Sequence, residues 1–326
     1  MNTTPCIALS RQVPDALLGS LRERAELRMP ERGLPDDLGE LLSGADYALV
    51  LPADRIDAAL LERCPRLKVL STVSAGFDHI DVAACTARGI RVCNTPKAVA
   101  AATADLAFGL LLAAARRIVE ADAFVRGGGW RADSSPLFGQ DVHHKQLGIL
   151  GLGSIGMELA KRARGFDMDV TYCNRRRLPV EEEVRLGVRY LDFDSLLEQS
   201  DALILQLPYS AATHHIIGAP QLAQMKPEAI LINTARGGLV DETALATALR
   251  EGRLAAAGLD VAEGEPAVNP ALLGLPNLVL SPHNGASTRE THKRMTLEAF
   301  DNLLDALHGA PLRNCINPQP TEECCP

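Results

Sequence analysis

Residues Leu147–Gly156, with the sequence LGILGLGSIG, join an apolar run directly to a glycine-rich turn of the form GxGxxG. The residues that follow have a helical pattern, so the turn connects a strand to a helix. In a dinucleotide-binding turn the first glycine permits the tight bend, the second lets the backbone approach a pyrophosphate, and the third lets the helix pack on the strand. These glycines are Gly151, Gly153 and Gly156. We expect the phosphates to bind the N–H groups at the helix N-terminus, at Ser154 and Ile155.

The end of the next strand selects the cofactor, because it lies about twenty residues after the glycines and meets the ribose. Met168–Cys173 supplies this strand, and Asn174, Arg175, Arg176 and Arg177 follow it. An NAD site usually has Asp or Glu here to bind the ribose 2′-hydroxyl, whereas guanidinium groups pair with a 2′-phosphate. We therefore predict that NADP(H) is preferred and NAD(H) possible, with Asn174, Arg175 and Arg176 in the site. The alternative is a solvated basic turn.

Composition favours an intracellular two-domain enzyme. A chain of 326 residues is long for one domain, and its net charge of −8 argues against nucleic acid or an anionic membrane as the main partner. We find no apolar run that approaches membrane-spanning length and no signal peptide, so we expect a cytoplasmic protein with no membrane partner.

Eight cysteines are scattered along the chain without a CxxC pair or a nearby histidine at ligand spacing. This pattern favours reduced thiols over a disulfide framework and predicts no metal site. The terminal pair, Cys324 and Cys325, is interpreted as a frayed tail.

Short apolar runs alternate with helical stretches along most of the chain, which is typical of a parallel α/β architecture. In the first part the predicted strands are Cys6–Leu9, Tyr47–Leu51, Lys68–Val73 and Arg91–Asn94. In the second part they are Asp169–Cys173, Ala202–Leu207, Ala229–Asn233, Ala256–Asp260 and Leu278–Ser281. The pattern also predicts one long buried helix over Thr103–Val125, and a helix over Ser287–His308 that crosses back to the first part.

Three polar loops follow strands of the second part: Asn233–Gly238, Asp260–Pro266 and Ser281–Gly285. Ligands of open α/β sheets bind beyond the carboxyl ends of the strands, where these loops lie. Taken singly, Arg236, Glu265 and His283 have ordinary structural explanations. Together they meet the needs of hydride transfer to a 2-oxo acid.

Each of the three side chains has a distinct predicted role. Arg236 can bind the substrate carboxylate and polarise the carbonyl, and His283 can donate the proton to the oxygen that becomes the alkoxide. Glu265 can orient the imidazole and favour its protonated form.

With these motifs the chain resembles the D-isomer-specific 2-hydroxyacid dehydrogenase family over nearly its whole length, from Val73–Asp78 (VSAGFD) through the glycine turn to the His283 loop. Arg236, Glu265 and His283 fall on the family's catalytic Arg, Glu and His. The resemblance implies two doubly wound α/β parallel-sheet domains with the active site in the cleft between them, and a homodimer formed through the cofactor domains.

The resemblance also implies the domain limits and further site residues. A flavodoxin-like substrate domain comprises 1–98 and 288–326, and a Rossmann dinucleotide-binding domain comprises 99–287. Backbone N–H groups of Val73, Ser74, Ala75 and Gly76 would bind the substrate carboxylate. The implied cofactor contacts outside the glycine turn and the basic run are Thr103, Thr234, Ala235, Arg236, Asp260, His283 and Gly285.

Some positions narrow the function within the family. Ala75 stands where phosphite-oxidising relatives have Lys, and Glu265 where formate-oxidising relatives have Gln, which disfavours both activities. Asn174 is characteristic of the NADP-using glyoxylate/hydroxypyruvate reductase and 2-ketogluconate reductase branch. The leading prediction is NADPH-dependent reduction of glyoxylate or hydroxypyruvate to the D-2-hydroxy acid. The alternatives are reduction of 2-ketogluconate or of bulkier 2-oxo acids, and a dinucleotide-sensing, corepressor-like binding protein.

Overall fold

The computed structural model describes residues 4–134 and 137–318, and therefore does not include Cys324 and Cys325. Its strands are β1 Cys6–Leu9, β2 Glu26–Arg28, β3 Tyr47–Val50, β4 Val69–Thr72, β5 Arg91–Cys93, β6 Gln146–Leu150, β7 Asp169–Cys173, β8 Val188–Tyr190, β9 Ala202–Leu205, β10 Ile230–Asn233, β11 Ala256–Leu259 and β12 Leu278–Leu280. Its α-helices are α1 Asp15–Arg22, α2 Leu38–Leu42, α3 Ala58–Glu62, α4 Val82–Ala87, α5 Pro96–Ala115, α6 Ile118–Arg126, α7 Ser154–Arg164, α8 Val180–Leu186, α9 Phe193–Gln199, α10 Ala219–Gln224, α11 Glu242–Arg250 and α12 Arg289–Leu307.

The chain divides into two compact units, one made of Met1–Val99 with Thr288–Pro326 and the other of Ala100–Ser287. In the first unit five parallel strands have the order β2-β1-β3-β4-β5, which is the flavodoxin-like order. Strands β1 and β4 are buried along their whole length, and helices cover the sheet. Such burial requires the continuous apolar runs that the sequence shows.

In the second unit seven parallel strands have the order β12-β11-β10-β9-β6-β7-β8. Counted from β6, this is the 3-2-1-4-5-6 order of the Rossmann fold with one further strand at the edge. Both predicted doubly wound sheets are therefore present. The order reverses between β6 and β9, and ligands of such sheets bind at this switch point.

Helix α12 packs in the first unit, although it follows the second along the chain. Its Asn302 is fully buried and donates from Nδ2 to the Ser71 hydroxyl at 3.2 Å and to the Asn94 carbonyl at 3.0 Å. A buried amide needs such partners because an unpaired one is costly. These bonds fix the helix against the ends of β4 and β5.

The prediction of one long helix over Thr103–Val125 is wrong in its limits. Helix α5 begins at Pro96, a residue suited to a first helical turn, and ends at Ala115, and α6 begins at Ile118. Arg117 lies between them with a φ of 53°, and its guanidinium forms two hydrogen bonds to Glu120. This left-handed residue interrupts the helix.

The expectation that no apolar segment approaches membrane-spanning length also needs correction. Helix α5 has 20 residues and is long and apolar enough to cross a membrane, but 67% of the apolar window is buried inside the protein. A buried core helix meets the same criterion, and the residues of α5 from Ala104 to Ala115 pack in the hydrophobic core of the second unit, which accounts for their apolar character.

Candidate active site

The three glycines of the turn after β6 have different surroundings. Gly151 has a φ of 103°, and a Cβ there would lie 2.6 Å from the Gln206 carbonyl oxygen. A Cβ on Gly156 would lie 2.8 Å from the Gly151 oxygen, so α7 could not pack as closely with any larger residue. A Cβ on Gly153 would have no neighbour within 4 Å. The turn is thus sterically closed on the protein side and open at Gly153.

The open side of the turn is also the N-terminus of α7. Gly153 is the N-cap and offers no capping side chain, while Ser154 is exposed and Ile155 is half-buried. The first N–H groups of a helix lack intrahelical partners and attract anions. The N–H groups at the start of α7 can therefore bind a pyrophosphate, and no side chain among the described residues caps this helix end.

Asn174 holds the glycine turn directly. Its Oδ1 accepts from the Leu152 N–H at 2.6 Å, and its Nδ2 donates to the Leu152 oxygen at 3.3 Å. The side chain therefore ties the end of β7 to the turn after β6. This structural role could not be predicted from the residue type alone.

The arginines of the basic run have unequal surroundings. Arg177 forms two hydrogen bonds to Glu183, at 2.8 and 2.7 Å, and lies over the Tyr190 ring. These bonds hold the pKa of Glu183 down at about 2, and Glu183 also accepts from Tyr172, whose burial raises its pKa to about 12. Arg175 and Arg176 are exposed and form no ion pair within residues 4–134 and 137–318. The run therefore offers two available guanidinium groups.

The Arg236 loop is held by buried polar contacts. Asn233 is fully buried; its Nδ2 donates to the Arg236 oxygen at 2.8 Å, and its Oδ1 accepts from the Ala235 N–H at 3.1 Å. Thr234 accepts from Gln206 Nε2 at 2.6 Å. The half-buried Arg236 side chain donates to the Ala235 oxygen at 2.7 Å.

The Arg236 loop packs against the loop that carries Glu265. A Cβ on Gly237 would lie 2.0 Å from the Ala262 carbonyl carbon, so only glycine permits this approach. Glu242, which is 4% exposed, accepts from the Glu263 N–H at 2.7 Å. Glu242 is a positioning residue that sequence reasoning missed, because it lies inside a helical pattern with no sign of a loop contact.

Glu265 and His283 form a direct pair. The Glu265 Oε2 and the His283 Nδ1 are 2.8 Å apart, and both side chains are partly exposed. Glu265 Oε1 also accepts from the Ala262 N–H at 2.9 Å. Since the carboxylate occupies Nδ1, Nε2 is the ring nitrogen left to exchange a proton with a substrate.

Asp260 organises the His283 loop. It is 1% exposed, and its two carboxylate oxygens accept from the N–H groups of Asn284 at 2.7 Å and Gly285 at 2.8 Å. The backbone N–H of His283 donates to the backbone carbonyl oxygen of Asp260 at 2.7 Å, and His283 has a φ of 55°. A Cβ on Gly285 would lie 3.2 Å from Thr103 Cγ2. The structure thus brings Thr103, Asp260, His283 and Gly285 together.

In the first unit, the loop after β4 is held from several sides. The Val73 N–H donates to the Val50 oxygen at 2.9 Å, so this amide completes the sheet and is not available to a ligand, contrary to the sequence expectation. The N–H groups of Ser74, Ala75 and Gly76 form no hydrogen bond within the described ranges, which leaves them as the candidate donors. Asn94 Nδ2 donates to the Ala75 oxygen at 2.7 Å.

A hydroxyl and imidazole chain supports the same loop. Ser74 Oγ contacts Thr72 Oγ1 at 2.8 Å and donates to the Gly76 oxygen at 2.7 Å, while Thr72 Oγ1 lies 3.0 Å from His79 Nε2. Sequence reasoning missed His79 and Asn94, since neither belongs to the predicted donor set. Asn94 holds the loop through the Ala75 carbonyl, whereas His79 reaches it only through the Thr72 hydroxyl.

Comparisons with known proteins identify the family to which the chain is similar. Residues 108–285 match the family described as D-isomer specific 2-hydroxyacid dehydrogenase, NAD binding domain. The chain is 45% identical over 320 residues to glyoxylate/hydroxypyruvate reductase B of Klebsiella pneumoniae, covering 97% of this chain and 99% of the relative.

Solved structures give the same result. A glyoxylate reductase from Paecilomyes thermophila aligns with a TM-score of 0.88 at 36% identity, covering 99% of this chain and 100% of the other. An NADPH-dependent glyoxylate/hydroxypyruvate reductase from Sinorhizobium meliloti, solved with NADP and malonate, aligns with a TM-score of 0.84 at 32% identity over 96% and 97% of the two chains. The chain belongs to the D-isomer specific 2-hydroxyacid dehydrogenase family and is an NAD(P)-dependent oxidoreductase of its glyoxylate/hydroxypyruvate reductase branch.

Proposed function

We propose that this oxidoreductase of small 2-oxo acids uses NADPH to reduce glyoxylate or hydroxypyruvate to the D-2-hydroxy acid, with His283 as the general acid. The observation that carries the proposal is the 2.8 Å contact between His283 Nδ1 and Glu265 Oε2, in a loop at the carboxyl edge of a Rossmann sheet. A carboxylate on one ring nitrogen fixes the imidazole and favours the form that donates a proton from the other.

The cofactor site of the proposal consists of three parts of the second unit. The glycine turn and the N-terminus of α7 would hold the pyrophosphate, and Arg175 and Arg176 would hold a 2′-phosphate. Thr103, Thr234, Ala235, Asp260 and Gly285 would complete the site. The bound cofactor supplies the hydride that adds to the substrate carbonyl carbon.

The remaining roles in the proposal belong to the substrate. Arg236 binds the carboxylate and polarises the carbonyl, because a guanidinium forms forked, charge-assisted hydrogen bonds with planar oxygen pairs. In the first unit, the N–H groups of Ser74, Ala75 and Gly76 are proposed as donors to a substrate carboxylate. His283 Nε2 then supplies the proton to the developing alkoxide.

The proposed function is tested by initial rates for glyoxylate, hydroxypyruvate, 2-ketogluconate and phenylpyruvate, each with NADPH and NADH. We expect the highest kcat/KM for one of the two small acids with NADPH. A higher value for 2-ketogluconate or phenylpyruvate would assign a different substrate class. NADPH binding without reduction of any 2-oxo acid would contradict the enzymatic function and favour a dinucleotide-sensing protein.

Glu265→Gln tests the coupling between the carboxylate and His283. The amide keeps a hydrogen-bond acceptor near the ring but removes the charge that makes the contact between Glu265 Oε2 and His283 Nδ1 a charge-assisted one, at 2.8 Å. We expect kcat for reduction to fall, because the ring is held less firmly for proton transfer, while the affinity for NADPH stays near the wild-type value. A kcat equal to that of the wild type would mean that the two side chains are not coupled in catalysis.

We further propose that the protein is a cytoplasmic homodimer. Two large aromatic side chains of the second unit, Trp130 and Phe138, are 75% and 80% exposed, and the apolar Ile118, Val119 and Val125 of α6 are also exposed. Exposed apolar patches on a protein surface mark sites of protein association. These residues therefore support association through the second unit.

A further inference from the structure

A cluster of two histidines and a glutamate lies in the second unit, apart from the pair formed by Glu265 and His283. His214 and His215 lie between β9 and α10, and Glu263 lies in the loop after β11. Each residue offers one ligand atom, and the three atoms lie within 4.8 Å of one another. Because β9 and β11 are parallel, their following loops meet at the same edge of the sheet.

Ring stacking and hydrogen bonds position the candidate ligand atoms of the cluster. The His214 and His215 rings stack with centroids 3.8 Å apart and planes inclined by 24°. His215 Nε2 lies 2.9 Å from Glu263 Oε1, so a cation placed between these two atoms could bind both groups. His214 Nδ1 contacts the Tyr209 hydroxyl at 3.1 Å, which leaves Nε2 as the free nitrogen.

The Tyr209 contact has the form of the outer hydrogen bond that orients metal-bound histidines. Such histidines almost always use their second ring nitrogen to contact an oxygen, which fixes the tautomer and the ring. Tyr209 itself is fixed, because its ring lies against Gly238, where a Cβ would be 2.6 Å from Tyr209 Cε2. The cluster thus has a supporting residue as well as candidate ligands.

We propose that His214, His215 and Glu263 form a site for a divalent transition-metal ion of the zinc class, with water as a fourth ligand. Two imidazoles and one carboxylate suit zinc and its neighbours, whereas magnesium and calcium prefer oxygen donors. With bonds of about 2.0–2.2 Å, a tetrahedral ion requires donor atoms about 3.4 Å apart. The side chains are exposed or half-buried and free to rotate, so ligand atoms that lie within 4.8 Å of one another could reach this separation. The ion would join the loop before α10 to the loop that carries Glu265.

Isothermal titration of the untagged, chelator-treated protein with zinc chloride tests the site. We expect one ion per chain in the wild type and loss of this binding in His215→Asn and in Glu263→Gln. Asparagine is chosen because His215 has a φ of 49°, which asparagine tolerates better than alanine. Tyr209→Phe keeps all three ligands and is expected to weaken binding about 10- to 100-fold, the effect of losing an outer partner.

Two control variants separate this site from other histidines. His143 and His144 are also adjacent, but their rings are nearly perpendicular at 88°, and the pair belongs to no metal-ligand cluster found in the described residues. We expect His143→Ala and His283→Asn to bind zinc as the wild type does. Zinc binding that persists in His215→Asn, or that is lost in either control, would overturn the proposal. Because this readout is metal binding, a failure of the proposed reductase activity would not affect it.

Discussion

Replacing His283 by alanine is expected to lower kcat for 2-oxo acid reduction by about 10²- to 10⁴-fold, the usual contribution of a positioned general acid. His283 Nδ1 is held by Glu265, so the substitution removes the nitrogen that donates the proton and leaves the glycine turn untouched. NADPH affinity should therefore change little. Single-turnover and steady-state kinetics, together with a fluorescence titration of NADPH, measure the two effects separately.

A second variant at position 283 is needed, because the backbone conformation there disfavours alanine. Its φ of 55° lies in the left-handed region, where alanine is less favourable than asparagine. His283→Asn keeps the backbone conformation more easily and also lacks a proton donor of comparable acidity, so we expect the same loss of kcat. His143→Ala, at an exposed histidine just before β6, is the matched control. Turnover near the wild-type value in both His283 variants would remove this residue from the mechanism.

The strands that the sequence predicts well are the buried ones. Strands β1, β3 and β9 coincide with apolar runs, because a strand covered on both faces needs a continuous run of such residues. Strand β7, with the sequence DVTYC, is recognised by its β-branched and aromatic residues. The edge strands β2 and β8 have three residues each and are partly exposed, so no comparable run marks them. Burial therefore makes a strand easier to recognise, although β12, an edge strand that is also short and partly exposed, is marked by its apolar sequence LVL.

In the candidate site, the side chains proposed for catalysis can be predicted from the sequence, but the residues that hold them in place cannot. Arg236, Glu265 and His283 can be predicted because their side chains carry recognisable chemistry after strands of a nucleotide-binding sheet. The contacts that support them cannot be predicted, because they depend on how distant loops pack. Examples are the hydrogen bond from the Glu263 N–H to Glu242 and the close approach of Gly237 to Ala262. The occupied amide of Val73 is a further example. It continues the sheet through Val50, and only the strand register shows this.

Substitutions in the basic run after β7 are expected to weaken the binding of NADPH but not that of NADH. Arg175 and Arg176 are exposed, whereas the Arg177 guanidinium is engaged by Glu183 at 2.8 and 2.7 Å. Losing one guanidinium contact to a 2′-phosphate costs about 1.5–3 kcal/mol, or about 10- to 150-fold in affinity. NADH lacks this phosphate. We therefore expect Arg175→Ala or Arg176→Ala to raise KM for NADPH by up to this factor and to leave KM for NADH nearly unchanged.

Asn174→Asp is expected to act on both cofactors. An aspartate can still accept from the Leu152 N–H, as Asn174 does at 2.6 Å, so the glycine turn keeps its principal support. Its charge would repel a 2′-phosphate and offer the ribose 2′-hydroxyl of NADH an acceptor. The ratio of kcat/KM for NADPH over that for NADH should therefore fall in this variant as well as in the two arginine variants.

Arg185→Ala is the matched control for the loss of a positive charge from the second unit. Arg185 lies on α8, is largely exposed and pairs with Glu182 at 2.6 Å, so its removal changes the net charge without touching the run after β7. The ratio should stay at the wild-type value in this control. A wild-type ratio below one, or a ratio that neither arginine variant nor Asn174→Asp changes, would mean that Arg175 and Arg176 belong to a solvated turn. A wild-type ratio below one would in addition make NADH the preferred cofactor.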